Sequence, residues 1–194
     1  MSTDLKEKPL IRSKVLSRRD SLISDIRDAK DKSIRNRLLA LPEFITARTV
    51  LFYASFKSEV DTFDLLKKSI LNKKTVVLPK VDLRTGGLEL YAIRSTDDLA
   101  PGYFGIPEPP AIEGRHIKVS GIDLLIIPGV AFDLNCNRLG YGKGFYDKLL
   151  SQKTAPAVAL AYEEQVMKDI PAYAHDIKMD KIITDKKIIQ RDGQ

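Results

Sequence analysis

The sequence is poor in the residues that form disulfides and zinc sites. Among its 194 residues are one cysteine, Cys136, and two histidines, His116 and His175. A lone cysteine cannot form an internal disulfide, which favours a reducing compartment. Structural zinc sites are built mostly from cysteine and histidine, so these few candidates argue strongly against one.

Long apolar segments are also missing. No apolar run approaches the ~20 residues that a membrane-spanning helix needs, so we expect no membrane partner. The amino terminus, MSTDLKEKPLIRSK, is charged from the start and lacks the apolar stretch of a signal peptide. Together these features predict a cytoplasmic protein.

The composition is that of a globular protein with a basic surface. Hydrophobic residues make up 43% of the chain and charged residues 30%, and the length suits one domain spanning residues 1–194. The formal net charge of +6 favours an anionic partner, such as a nucleotide, a polyanionic metabolite or nucleic acid. The basic residues form no long block and no stripe interleaved with aromatic residues. We therefore expect small-molecule partners and no nucleic acid, and we also expect a monomer.

Apolar periodicity predicts helices and strands in alternation. Residues 10–41 carry leucine, isoleucine and valine at helical spacings, which predicts two helices separated near residues 17–21 and closed by Pro42. Asp61 and Thr62 can cap a further helix that extends to about Leu71. Other helices are expected at 145–152 and 163–168, and strands at 49–54, 75–78, 88–93, 122–127 and 157–161, with a terminal strand pair in 181–189.

The clearest strand is the run IDLLII at residues 122–127, because continuous apolar character is typical of a strand covered on both faces. Strands that alternate with helices favour an α/β fold. We predict a single three-layer α/β/α domain with a largely parallel central sheet. The Pro- and Gly-rich residues 101–110 are expected to form a long loop.

Residues 128–149, PGVAFDLNCNRLGYGKGFYDKL, hold the densest set of candidate functional residues. Three glycines alternate within residues 140–144, next to the cations Arg138 and Lys143. Glycines let the backbone approach a ligand closely, and successive N–H groups, with those of the next helix, can hold an anion. The spacing fits neither a Walker A loop nor the dinucleotide fingerprint. The segment therefore indicates a phosphate-binding loop, with a flexible turn between strand and helix as the open alternative.

Asp147 lies immediately beyond this loop, at the start of a predicted helix. A carboxylate there can cap the helix or form a surface salt bridge. It can also be a ligand of the Mg²⁺ that accompanies a nucleotide, because such an ion takes one or two carboxylates together with phosphate oxygens. The sequence leaves both interpretations open.

The same segment resembles the signature of the 5-formyltetrahydrofolate cyclo-ligase family. In that family a strand is followed by Pro-Gly, Ala/Gly-Phe-Asp, Asn/Gly-x-Arg-Leu-Gly, Gly-Lys-Gly and aromatic-Tyr-Asp. The matching positions are Pro128-Gly129, Ala131-Phe132-Asp133, Arg138-Leu139-Gly140, Gly142-Lys143-Gly144 and Phe145-Tyr146-Asp147. A match of this length is far more specific than a glycine motif alone. It implies a fold similar to that of sugar-phosphate isomerases and CoA transferases.

The resemblance extends over nearly the whole chain. Lys8 and Arg12 match a Lys-x-x-x-Arg pattern that contacts ATP phosphates in the family, although a solvated helix face would show the same spacing. Residues 55–62 match the family's substrate loop, with Glu59 at the folate-binding position. Two further matches near the folate pocket are Pro79-Lys80 and residues 105–109.

The carboxy-terminal match is looser. His175-Asp176, followed by Asp180 and Thr184, fits an acidic segment of the family that supplies metal or nucleotide contacts. The loose alignment leaves open whether Asp176 or Asp180 is the second metal ligand. The chain also departs from the family at Tyr141, where arginine is frequent, so one phosphate contact is either missing or supplied by another residue.

The resemblance implies an enzyme that uses ATP and Mg²⁺ to close a ring on 5-formyltetrahydrofolate and releases ADP and phosphate. The implied ATP-binding residues are Lys8, Arg12, Arg138, Leu139, Gly140, Tyr141, Gly142, Lys143, Gly144, Phe145 and Tyr146. The implied folate-binding residues are Ala54, Glu59, Phe145 and Tyr146. The implied metal ligands are Asp147 and Asp176, and the implied catalytic residues are Arg138, Lys143 and Tyr146.

Two other functional classes remain as alternatives. A sugar-phosphate isomerase or CoA transferase would need no ATP hydrolysis and would use a carboxylate as base or nucleophile. A basic nucleic-acid-binding module would bind with an affinity that falls steeply with salt and is independent of folate.

Overall fold

The structure is a computed structural model that describes residues 4–173 and 176–191. Its helices are α1 (Asp4–Asp20), α2 (Ser24–Leu39), α3 (Pro42–Thr46), α4 (Phe63–Leu71) and α5 (Phe145–Leu150). Its strands are β1 (Thr49–Leu51), β2 (Thr75–Asp82), β3 (Gly87–Ile93), β4 (Ala100–Pro101), β5 (Pro107–Glu108), β6 (Leu124–Ile127), β7 (Ala131–Asp133), β8 (Arg138–Leu139), β9 (Ala157–Leu160), β10 (Val166–Met167), β11 (Lys181–Ile183) and β12 (Ile188–Gln190). None of the described helices is long and apolar enough to cross a membrane.

Seven strands form the central sheet, in the order β12-β11-β9-β6-β1-β2-β3. The five inner strands run parallel to one another, and β3 and β12 are antiparallel strands at the two edges. Every residue of β6 and β9 is buried, as expected for parallel strands that are covered on both faces. The prediction of an α/β fold with a largely parallel sheet is confirmed.

Alternate residues of each strand point to opposite faces of the sheet and build two cores. On one face, Val50 and Leu124 pack in a cluster with residues of α2, α3 and α4, including the fully buried Leu66. On the other face, Leu51 and Leu125 pack in a cluster with Leu149 and Leu150 of α5 and with residues of the connecting loops. The second layer of helices is therefore thin, because α5 is its one α-helix among the described residues.

Helix α1 lies away from these two cores and packs on a small three-stranded sheet of order β10-β7-β8. A third apolar cluster joins Val15 of α1 to Val130, Ala131, Leu139 and Ile170. This packing places the amino-terminal helix beside the glycine-rich segment that follows β8. The local sequence did not predict the small sheet, because strands of two or three residues are too short to show a period.

Several predicted boundaries change in the structure. Pro42 does not close α2, which ends at Leu39, but begins the short helix α3, where the fixed φ of proline is favourable. Thr62 precedes α4 without capping it through its side chain, because its hydroxyl oxygen accepts the Ser55 N–H (3.0 Å) while its proton goes to Tyr53 O (2.7 Å). The helix predicted at 163–168 is a single 3₁₀ turn, Glu163–Gln165. The loop predicted at 101–110 contains the strands β4 and β5, which pair with each other.

A buried carboxylate fixes the turn that leads into the glycine-rich segment. Asp133 is fully buried at the end of β7 and accepts four hydrogen bonds. One oxygen accepts the backbone N–H groups of Asn135 and Asn137, both at 2.9 Å, and the other accepts Asn137 Nδ2 (2.8 Å) and the Ile170 N–H (3.1 Å). These bonds pin the β7–β8 hairpin to the segment after β10.

Replacing the Asp133 carboxylate should lower the stability of the protein. Asp133→Ala leaves several buried donors without an acceptor, so we expect the free energy of unfolding to fall by about 3 kcal/mol. The measurement is urea denaturation followed by circular dichroism. The control is Asp169→Ala, which removes an exposed aspartate nearby and should change stability by no more than about 0.5 kcal/mol. Equal stabilities for the two variants would contradict this role of Asp133.

Candidate active site

A cleft of about 520 Å³ opens at the carboxyl edge of the central sheet. From β1 the chain continues to β2 on one side, whereas from β6 it continues to β9 on the other. The loops that follow β1 and β6 therefore diverge and leave a crevice between them, which is where open α/β sheets bind ligands. Ala54 lines the cleft after β1 and Pro128 lines it after β6.

The structure brings all the residues named above as implied ATP-binding, folate-binding, metal-binding or catalytic residues to this one cleft. Its lining includes Lys8, Arg12, Ala54, Glu59, Arg138, Leu139, Gly140, Tyr141, Gly142, Lys143, Gly144, Phe145, Tyr146, Asp147 and Asp176. His175 lies outside the described residues. Asp180 lies elsewhere, at the amino end of the sheet, where it pairs with Lys153 and accepts the Ala157 N–H (2.7 Å).

The glycines of residues 140–144 are required for reasons of space and backbone conformation. A Cβ at Gly140 would lie 2.9 Å from a guanidinium nitrogen of Arg138. Gly142 and Gly144 have φ values of +97° and +73°, in the left-handed region that glycine adopts without strain. The segment therefore passes close to the cations of the cleft, in a backbone conformation that would be strained for other residue types.

Cations from two distant parts of the chain converge on this segment. The Arg138 side chain is only 3% exposed and donates to Asp147 and to Pro128 O (3.3 Å). Arg12 of α1 donates from Nε to Gly140 O (2.8 Å) and so ties the helix to the glycine segment. Lys143 is exposed, with Nζ 5.9 Å from the centre of the Phe104 ring. Lys8 completes the set from α1.

Both candidate metal ligands are paired with these cations. Asp147 accepts a hydrogen bond from Arg138, and Asp176 accepts one from Lys8 Nζ (2.8 Å). Within the described residues, no group of three or more His, Cys, Asp or Glu side chains could hold a metal ion by itself. Two carboxylates at the rim of a phosphate-type site nevertheless fit Mg²⁺, because phosphate and water oxygens complete its coordination.

Glu59 lies in the loop after β1, where its carboxylate bonds both to that loop and to the glycine-rich segment. One carboxylate oxygen accepts the Tyr141 hydroxyl (2.7 Å), and the other accepts the Phe56 N–H (3.0 Å). Burial raises the pKa of Glu59, while the Tyr141 hydrogen bond acts in the opposite direction. The side chain of Tyr141 thus contacts Glu59, although the sequence grouped Tyr141 with the ATP-binding residues.

Several cleft residues were missed by the sequence reading. Arg19 is buried at the end of α1, and nothing in the sequence distinguishes it from its exposed neighbour Arg18. Tyr103 and Phe104 extend an aromatic wall that includes Phe145, since the Tyr103 and Phe145 rings meet edge to face at 5.9 Å. The one sequence signal for this aromatic wall was that Tyr103 and Phe104 immediately precede residues 105–109, which match the family near the folate pocket.

Glu108 holds this aromatic wall in place. Its buried carboxylate accepts the Tyr103 N–H (3.2 Å) and the Val81 N–H (3.3 Å) and pairs with Lys80 (3.2 Å). The loop that carries the aromatic residues is thus anchored to β2. The Pro- and Gly-rich loop is a fixed wall of the cleft.

Comparison with known proteins gives a consistent result. The model of the 5-formyltetrahydrofolate cyclo-ligase family matches residues 4–185. The solved structure of 5,10-methenyltetrahydrofolate synthetase from Aquifex aeolicus is 38% identical, with a TM-score of 0.85, over 96% of this chain and 94% of that chain. A second solved 5,10-methenyltetrahydrofolate synthetase, from Mycoplasma pneumoniae, is 27% identical, with a TM-score of 0.75, over 92% of this chain and 98% of that one.

Curated relatives agree with the solved structures. The probable 5-formyltetrahydrofolate cyclo-ligase of Schizosaccharomyces pombe is 33% identical over 87% of this chain and 90% of its own length. The 5-formyltetrahydrofolate cyclo-ligase of Escherichia coli K12 is 30% identical over 90% of this chain and 98% of its own length. The family signature, the sheet topology and these full-length matches show that the chain belongs to the 5-formyltetrahydrofolate cyclo-ligase family.

Proposed function

We propose that this protein converts 5-formyltetrahydrofolate and ATP to 5,10-methenyltetrahydrofolate, ADP and phosphate. The observation that carries this proposal is that one cleft brings a cationic glycine-rich segment together with the half-buried Glu59 carboxylate and an aromatic wall. The first side suits a triphosphate and the second suits a flat heterocycle that offers N–H groups. That the protein is a single-domain cytoplasmic monomer stays a prediction.

The chemistry requires that a formamide oxygen become a leaving group. Transfer of the γ-phosphoryl group from ATP to this oxygen gives an iminium phosphate, whose carbon is electrophilic. Attack by N10 of the folate forms the new carbon–nitrogen bond, N10 loses its proton to water or to the leaving phosphate, and the oxygen departs with the phosphate. The protein needs no nucleophile of its own, so its contribution is to position the reactants and to stabilise charge.

The triphosphate is assigned to the cationic side of the cleft. Arg138 is buried and bonded to Pro128 O, so little conformational freedom is lost when it binds a phosphate oxygen. The N–H groups of residues 140–144 and the charge of Lys143 act on the same anion. Lys8 and Arg12 add two further cations from α1, and Leu139 contributes to the wall.

Mg²⁺ would be held by Asp147 and Asp176, each exchanging its present cation partner for the metal. When bound, the ion would neutralise charge on the phosphates. Arg138 and Lys8 would then be available to the triphosphate. The two ion pairs thus keep four charged groups ordered and compensated.

The folate is assigned to the other side. Glu59 would accept N–H groups of the bicyclic ring, and Phe145 and Tyr146 would contact its faces, with Ala54 below. Tyr146 also lies under Arg138, with the guanidinium 5.9 Å from the ring centre, so it stands between the two halves of the cleft. This position supports its assignment beside the reacting groups.

The direct test is a coupled assay of the purified protein with 5-formyltetrahydrofolate and Mg·ATP. Methenyltetrahydrofolate is followed by its near-ultraviolet absorbance, and ADP is measured in parallel. We expect equal amounts of both products, formed only when both substrates are present. Binding of Mg·ATP without any turnover would leave the phosphate site standing and refute the folate assignment.

Removing the Lys143 ammonium should lower the catalytic efficiency without lowering the stability of the fold. A hydrogen bond to a charged group contributes about 1.5–3 kcal/mol, so Lys143→Ala should lower kcat/KM for ATP about 10- to 100-fold. Thermal stability should not change, because the side chain is exposed. Lys67→Ala, an exposed lysine on α4, is the matched control. Activity near wild type in Lys143→Ala would remove Lys143 from the site.

The assignment of Asp176, rather than Asp180, to the metal can be tested by binding. Asp176→Asn should lower the Mg²⁺ dependence of ATP affinity, which isothermal titration calorimetry measures with and without the ion. Asp180→Asn is the matched control, because that carboxylate lies at the other edge of the sheet. If Asp180→Asn alters the Mg²⁺ dependence and Asp176→Asn does not, the assignment is wrong.

A further inference from the structure

A chain of hydrogen bonds connects three segments that surround the folate side of the cleft. Arg19, at the end of α1, is 3% exposed and donates from Nε to Ser58 Oγ (3.0 Å). A second nitrogen of its guanidinium donates to the Tyr141 hydroxyl (3.1 Å). That hydroxyl donates in turn to Glu59 Oε1 (2.7 Å). The chain thus connects α1 and the glycine-rich segment to the loop after β1.

The direction of these bonds is fixed by the number of protons. A guanidinium has only donors, and an ionised carboxylate has only acceptors. The Tyr141 hydroxyl has one proton, so it must accept from Arg19 and donate to Glu59. The positive charge of Arg19 polarises this hydroxyl and strengthens its bond to the carboxylate.

The surroundings of Glu59 make this support necessary. Glu59 is desolvated, and burial raises its pKa, whereas the charge of Arg19 lowers it. Three tyrosines interact with the Glu59 charge and offer no compensating positive charge: Tyr53 is buried, Tyr146 is partly buried and Tyr141 is half exposed. Tyr162 contacts only the Glu59 backbone carbonyl. Ser58, which accepts from Arg19, also donates to Asp20, so the guanidinium is anchored on its second side.

We propose that Arg19 is a positioning residue for folate recognition, which acts through Tyr141 to hold the Glu59 carboxylate ionised and aimed into the cleft. Tyr141 therefore serves the folate side of the cleft by its side chain, and the triphosphate side only by its backbone. This inference rests on the proposed function, because it presumes that Glu59 receives the folate. It assigns a role to an arginine that the family signature does not include.

The test separates the two substrates kinetically. Tyr141→Phe removes only the hydroxyl, so KM for 5-formyltetrahydrofolate should rise about tenfold while KM for ATP stays within about twofold. Arg19→Gln should act in the same direction, and Arg19→Lys, which keeps the charge but not the two-pronged geometry, should restore part of the loss. The acidic limb of kcat/KM for the folate should move to higher pH in Tyr141→Phe, because the lost hydrogen bond favours the ionised form of Glu59.

The controls remove similar groups outside this chain of bonds. Tyr91→Phe deletes another tyrosine hydroxyl that donates to a glutamate, Glu89 (2.6 Å), away from the cleft. Arg18→Gln deletes the exposed arginine next to Arg19. Both should keep the wild-type KM values. A 13C titration of the Glu59 carboxyl gives a readout that needs no turnover, and its pKa should be higher in Tyr141→Phe than in the wild type.

The outcomes distinguish this inference from the proposed function. If the wild type converts the folate but Tyr141→Phe leaves both the folate KM and the Glu59 pKa unchanged, the inference is overturned and the proposed function stands. If KM for ATP rises instead, Tyr141 serves the triphosphate and the inference is likewise overturned. If the wild type neither binds nor converts the folate, the proposed function fails first and the folate role of Arg19 fails with it.

Discussion

The pairing of β1 with β6 is the constraint on which the rest of the structure depends. The two strands lie side by side in parallel, with Val50 opposite Leu124 and Leu51 opposite Leu125. All four side chains are fully buried, so the register cannot slip without moving apolar residues to the wrong face. The chain continues from β1 to β2 on one side of this pair and from β6 to β9 on the other side. The loops that follow β1 and β6 therefore diverge and form two walls of the cleft.

The same constraint explains why the site combines segments that are remote in sequence. The loop after β1 provides Glu59, and the segment after β6 provides Arg138 and the glycines. Helix α1 closes the cleft from outside, held there by an apolar cluster that it shares with the small sheet. Three of its cations, Lys8, Arg12 and Arg19, therefore reach the cleft although they precede every strand of the central sheet.

Charge compensation is the second organising feature of the cleft. Cations that are to meet a polyanion are costly to leave unpaired in a partly buried site. Here Arg138 and Lys8 are paired with carboxylates, and Arg12 is bonded to a backbone carbonyl. These bonds hold the cations of the cleft in an ordered arrangement, and the proposed function predicts that substrate binding exchanges these ionic partners for others.

The sequence predicted the central sheet and the glycine-rich segment because their signals are local. The continuous apolar run at 122–127 and the alternating glycines with Arg138 and Lys143 are each visible within a few consecutive residues. The Arg19–Tyr141–Glu59 chain could not be predicted, since its bonds join residues 122 and 82 positions apart. The Lys8–Asp176 pair spans 168 positions, and the short strands β7, β8 and β10 show no period.

The most direct test of a shared cleft is amide chemical-shift mapping by NMR, with a non-hydrolysable ATP analogue and Mg²⁺ added first and 5-formyltetrahydrofolate second. The nucleotide should shift the signals of residues 140–144 and of α1, the folate should shift those of residues 54–59, and both should affect Phe145 and Tyr146. Shifts centred on Lys153 and Asp180, at the opposite edge of the sheet, would contradict the assignment of both substrates to this cleft.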